Sequence, residues 1–148
     1  MEYTSVFHII GPIMVGPSSS HTAGALKIAR FARQKFGKKP VYAEITLYNS
    51  FAKTHKGHGT DVALVGGILD FEPDDLRIPF ATAIAEKEQI EIKIISSDQE
   101  ANHPNTVKLI LTDGYDILEV TGISIGGGSF KILSGVWSFG RSWGCKDV

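Results

Sequence analysis

The sequence has a single cysteine, Cys145, three residues from its end. One thiol forms no internal disulfide, and it cannot by itself supply the several thiolates that an iron–sulfur cluster or a Cys-rich zinc site takes from its protein. An excess of basic charge is also missing. Lys and Arg number 15 against 16 Asp and Glu, and the formal net charge of -1 gives nucleic acid no electrostatic footprint. The cations that do run together, Lys27, Arg30, Arg33, Lys35, Lys38 and Lys39, crowd the end of a predicted helix, where the helix dipole and solubility account for them. No basic leader with a long apolar run opens the chain, and no stretch approaches the ~20 apolar residues of a membrane span. Neither a signal peptide nor a transmembrane helix is expected, and the cytoplasm is the default compartment. Three nucleotide and nucleophile signatures are absent as well. Gly16-Pro17-Ser18-Ser19-Ser20 is not followed by Gly-Lys-Ser/Thr, Gly126-Gly127-Gly128 lacks GxGxxG spacing, and no Gly-x-Ser-x-Gly elbow occurs.

What remains is the composition of a soluble globular chain, 43% hydrophobic and 21% charged, with 148 residues able to enclose a core. Apolar spacing predicts a short helix at 5–10 and a longer one over Thr22 to Phe36, stopped by Gly37. Val41 to Asn49 alternates as a strand, a loop follows to Gly59, and Thr60 with Asp61 opens an apolar helix over Val62 to Leu69. Pro79 suits the first position of a helix over Phe80 to Lys87. Strands are predicted at Ile90 to Ile95, Val107 to Leu111, Tyr115 to Ile125 and Phe130 to Leu133, with Asp113-Gly114 as a type I′ hairpin turn. Irregular alternation of helices and strands, plus a hairpin, favours an α+β fold: a mostly antiparallel sheet packed with about three helices. The domain is expected over 1–133, with 134–148 as an irregular tail whose Trp137 and Trp143 need a partner surface or stay mobile.

The chemistry concentrates at helix starts. Gly16-Pro17-Ser18-Ser19-Ser20-His21-Thr22 puts a fixed turn, several hydroxyls and an imidazole directly before a helix. Free N–H groups there attract anions, and one Ser or Thr is enough for capping. The surplus suits a small carboxylate or phosphate held beside a group that moves protons near neutral pH. An ordinary Ser-rich cap with a solvated histidine explains the same residues. Lys53 to Asp61, with His55 and His58 between glycines, prepares the next helix in the same way, or is a flexible basic loop. His103-Pro104-Asn105 makes a third polar knot between strands, for which a turn role suffices. No spacing of His, Cys, Asp and Glu indicates a zinc or two-metal centre on this chain.

Ile9 to Ala25, with Gly-Pro-Ser-Ser-Ser-His-Thr at its centre, resembles the opening signature of the iron–sulfur-dependent L-serine dehydratases, in their beta chain or beta domain. Ser50-Phe51-Ala52-Lys53-Thr54, Lys56-Gly57-His58-Gly59-Thr60-Asp61, His103-Pro104-Asn105-Thr106 and Ser124-Ile125-Gly126-Gly127-Gly128 follow in order, and the likeness covers roughly residues 3 to 133. It implies the fold of that beta domain, which is similar to the effector-binding domain of some phosphoglycerate dehydrogenases. It implies conversion of L-serine to pyruvate and ammonia, with a [4Fe-4S] cluster carried by a separate, Cys-rich alpha chain. On that resemblance His21 and His58 are candidate bases. Ser18, Ser19, Ser20, Thr22, Lys53, His103, Asn105, Gly126 and Gly127 are candidates to hold the substrate. The expected partners are L-serine and the alpha chain, with a homodimer left open and neither nucleic acid nor membrane expected. A non-catalytic sensor of an amino acid or small anion is the alternative from another class, since the same helix-start pocket serves it.

Overall fold

The computed structural model describes residues 22–49 and 59–139. The helix expected at 5–10, the loop at 50–58 and Trp143 lie outside them. Helix α1 spans Ala23–Phe36 and presents Ala25, Ile28, Ala29, Ala32 and Phe36 to the core, every one at most 4% exposed. Three alanines on that stripe let the helix axis come close to what lies beneath it. Gly37 ends it at φ 80°, its N–H donating to the Arg33 carbonyl at 3.1 Å, a left-handed C-cap that a side chain would strain.

The sheet has five strands in the order β2-β1-β3-β4-β5, where β1 is Tyr42–Leu47, β2 Glu91–Ser96, β3 Thr106–Thr112, β4 Ile117–Gly126 and β5 Ser129–Ser138. Every pairing is antiparallel except β1 with β2. Those two parallel strands need a crossover, and the segment between them supplies it with two helices, α2 over Thr60–Ile68 and α3 over Ala81–Lys87. In register, Ala43, Ile45 and Leu47 face Leu111, Leu109 and Val107, which face Leu118, Val120 and Gly122. This row forms the helix-side surface, and Ile45 and Leu109 are fully buried within it. Each such side chain contributes about 1.5–3 kcal/mol.

Helix α2 is apolar on every side because it is sandwiched. Leu64 and Ile68 join α1 and the sheet in one cluster, while Ala63 and Val65 join Leu26, Phe71, Ile78, Ala81 and Ala85 in another. Pro79 sits in a 3-10 turn, Ile78–Phe80, that leads into α3, so the expected helix start divides into two pieces.

Two expectations are corrected. The Asp113-Gly114 hairpin is not a two-residue type I′ turn. Thr112 pairs with Ile117, so residues 113–116 form a four-residue loop, and Asp113 does not take the positive φ that type I′ requires. The reason is local. Asp113 Oδ1 accepts from the N–H groups of Tyr115 and Asp116 at 3.0 and 2.8 Å, and the Asp113 carboxylate meets Lys38 Nζ at 2.6 Å. The last strand also does not stop at Leu133. β5 crosses the 133/134 boundary and reaches Ser138, because Trp137 stacks on Phe36 at 5.6 Å and on Phe139 at 4.9 Å.

Lys38 holds the Asp113 carboxyl at about 2, below its ordinary 3.8. A depressed acid stabilises the fold above its unfolded value, and that contribution disappears as pH falls from about 4 through 2. Thermal unfolding of Asp113→Asn should therefore lie below wild type at pH 6, with the gap closing towards pH 2. A gap that is constant across that range would show the ion pair to be irrelevant to stability.

Candidate functional site

One end of the domain collects the described parts of the motifs. α1 begins at Thr22, its N-cap, which is 3% exposed and whose carbonyl accepts from the Leu26 N–H at 2.9 Å. α2 begins after Gly59, an N-cap with φ 73°, followed by fully buried Thr60 and by Asp61 in the favourable first turn. The two helices run in the same direction. Gly67 lies against Leu26, Ala29 and Arg30, and one turn later Asp70 accepts from Arg30 Nε at 3.0 Å and Gln34 Nε2 at 3.2 Å. Their N-termini therefore point to the same side, each with first-turn N–H groups that no helical carbonyl can reach.

The sheet brings its loops to that end. Gly126, Gly127 and Gly128 all have positive φ in the turn between β4 and β5, and a Cβ on Gly128 would lie 3.6 Å from Ala23 Cβ and 3.5 Å from Lys27 Nζ. The glycine turn thus rests on the first turn of α1. Ser124, just before it, is fully buried, and its Oγ has no hydrogen-bond partner among the described residues. That oxygen occupies the position a Cβ on Gly24 would take. Gly24→Ala is accordingly expected to push α1 off the glycine turn, and Ser124→Gly to restore the fold in the double variant, read by thermal unfolding. Additive losses in the double variant would show that the two positions do not touch.

His103, Pro104 and Asn105 connect to the same end. Ser124 N–H donates to the Asn105 carbonyl at 3.0 Å, and Asn105 Nδ2 reaches the Ser124 carbonyl at 3.5 Å. His103 Nδ1 accepts from the Asn105 N–H at 3.1 Å. The neutral ring that makes this bond carries its proton on Nε2, leaving a donor rather than a base on its outer nitrogen. Asn49, at φ 54°, closes the group: its Nδ2 donates to the carbonyls of Ala101 at 2.9 Å and His103 at 2.7 Å.

Thr22, His103, Asn105, Gly126 and Gly127 are thus brought together. Ser18, Ser19, Ser20, His21, Lys53 and His58 lie outside the described residues, and their segments join the described chain at Thr22, Asn49 and Gly59. Sequence reasoning missed Asn49, taken as the end of a strand, and the buried hydroxyl of Ser124. Ser124-Ile125-Gly126-Gly127-Gly128 and the position of Asn49 beside Ser50-Phe51-Ala52 are the sequence signals that point to them. Among the described residues no three His, Cys, Asp or Glu side chains converge on a metal position, and the whole sequence has one thiol. These residues do not fit a resident iron–sulfur cluster.

A family model described as serine dehydratase beta chain matches residues 5–94. The chain is 54% identical over 132 residues to the "Probable L-serine dehydratase, beta chain" of Bacillus subtilis (strain 168), covering 89% of this chain and 60% of that one. It is 48% identical over 132 residues to the "L-serine dehydratase, beta chain" of Peptoniphilus asaccharolyticus, covering 88% and 60%. It is 28% identical over 140 residues to the "L-serine dehydratase TdcG" of Escherichia coli (strain K12), covering 78% of this chain and 31% of that protein. The chain therefore spans about 60% of the length of the two beta chains. With the family model extending over more than half of its residues, the chain belongs to the serine dehydratase beta chain family.

Proposed function

We propose that this chain is the beta component of a two-chain L-serine dehydratase and contributes substrate-binding and acid–base groups for conversion of L-serine to pyruvate and ammonia. The observation that carries the reading is the gathering of the α1 and α2 starts, the His103–Asn105 loop and the glycine turn at one end of the sheet. The difficulty of the reaction explains the groups. Hydroxide leaves poorly and the α-proton of serine is weakly acidic, so elimination needs an electron-pair acceptor at the oxygen and a base at the α-carbon. A [4Fe-4S] cluster held by the alpha chain would supply that acceptor.

This chain supplies the rest. The substrate carboxylate rests on the first turn of α1 with the hydroxyls of Ser18, Ser19, Ser20 and Thr22, each charge-assisted contact contributing ~1.5–3 kcal/mol. A neutral imidazole, His21 or His58, takes the α-proton. His103 donates from Nε2, Asn105 holds its loop in place, and Lys53 adds positive charge. Gly126 and Gly127 let backbone approach the substrate without side-chain interference. Anaerobic co-expression with a Cys-rich alpha chain tests the reading. Pyruvate should form from L-serine only when both chains are present, and full activity of this chain without partner or iron would overturn it.

A further inference from the structure

A cavity of about 190 Å³ opens away from the motif end, among Arg33, Lys39, Leu69, Ile84, Glu88 and Ile90. Arg33 lies roughly 15 Å along α1 from Ala23, at 1.5 Å per residue. The cavity is therefore separate from the end where substrate is placed, and nothing about it depends on that assignment. Ile68, Phe71 and Arg77 complete its wall.

Its charges do not cancel. Lys39 Nζ engages the Glu88 carboxylate at 3.5 Å and the Glu88 carbonyl at 3.1 Å. Arg77 forks onto Asp75 at 3.0 and 2.7 Å, with its guanidinium 4.1 Å from the centre of the Phe71 ring. Those two cations are matched by two carboxylates, which leaves Arg33 as the cavity's cation with no ion pair among the described residues. Its Nε is buried and has no hydrogen-bond partner among the described residues. A buried donor without an acceptor is costly, and a guanidinium beside apolar walls is suited to a planar carboxylate.

We propose that this cavity binds a short branched aliphatic carboxylate, its oxygens on Arg33 and its hydrocarbon among Leu69, Ile84, Ile90 and Phe71. One surplus cation matches one negative charge, which favours a carboxylate over a phosphate dianion. The volume of about 190 Å³ corresponds to about six water molecules at ~30 Å³ each, which is the size class of a five-carbon carboxylate.

Titration of the full chain with 3-methylbutanoate, followed by amide NMR, tests this. Saturable shifts around Arg33 and Ile84 are expected, with a Kd on the order of 1 mM for so small a ligand. Arg33→Gln should weaken binding at least tenfold, as should replacing the ligand by neutral 3-methylbutanamide or by acetate. Ile84→Trp fills the cavity and should abolish binding while spectral dispersion stays native, which keeps the test valid if the arginine variant unfolds. Valine and 3-methyl-2-oxobutanoate distinguish an amino-acid from a 2-oxo-acid source, because only the former uses Glu88 for its ammonium group and weakens in Glu88→Gln. Shifts that never saturate, or equal binding by wild type and a folded Arg33→Gln variant, would overturn the proposal.

Discussion

Replacing His21 and His58 separately by alanine in the two-chain complex is expected to lower kcat about a hundred- to ten-thousandfold at whichever ring takes the α-proton. The two variants should not behave alike. Loss of the base removes an interaction made in the transition state, so kcat falls while apparent serine affinity stays near wild type. Loss of a ring that only contacts the carboxylate raises KM more than it lowers kcat. His103→Ala should differ from both, since that ring uses Nδ1 to hold the Asn105 N–H and presents only a donor. Steady-state kinetics at saturating serine, with the iron content of each complex matched, separates the three outcomes. Retention of full kcat in both the His21 and His58 variants would remove the imidazole base from the account.

Gly67→Ala should be among the most damaging single methyl additions in the described chain. The added carbon would overlap the Leu26 carbonyl oxygen and lie 2.6 Å from Ala29 Cβ and 2.8 Å from the Arg30 nitrogen. Two of those neighbours are α1 backbone, which cannot rotate away, so the helices must separate. Overpacking of this kind costs about 3 kcal/mol, and the unfolding midpoint should fall by roughly 10 °C. Because α1 and α2 carry the two motif segments at their starts, activity of the complex should fall with stability. Gly66→Ala is the control. Its added carbon meets Ile78 and Phe71 at 3.5 Å, ordinary contact, and alanine favours helix over glycine by about 1 kcal/mol. A thermal scan showing Gly67→Ala as stable as Gly66→Ala would mean that the helices do not pack as closely as described.

Much of this architecture could be read from periodicity. The stripe on α1 and the alternation of Ala43, Ile45 and Leu47 each repeat with the period of their element, and both match the observed burial. Contacts between distant parts of the chain were less legible. Trp137 extends β5 because Phe36, far earlier in the chain, offers it a ring. The Asp113 turn departs from its dipeptide signal because its own carboxylate competes for backbone N–H groups and Lys38 reaches it from the end of α1. α2 shows no amphipathic face because it has neighbours on both sides, and the β1–β2 pairing depends on the crossover that α2 helps build. At the site the motif residues stood out by composition. Their convergence did not, since Gly24 against Ser124 and Asn49 against the His103 loop are contacts no local pattern encodes.

The most direct test is a structure of the anaerobically assembled complex holding L-serine, made with the slower of the two histidine variants so that substrate persists. The serine carboxylate should lie on the first-turn N–H groups of α1, between the Gly126–Gly128 turn and the His103 ring. Serine bound wholly within the alpha chain, or motif side chains turned to separate faces of this domain, would contradict a shared active site.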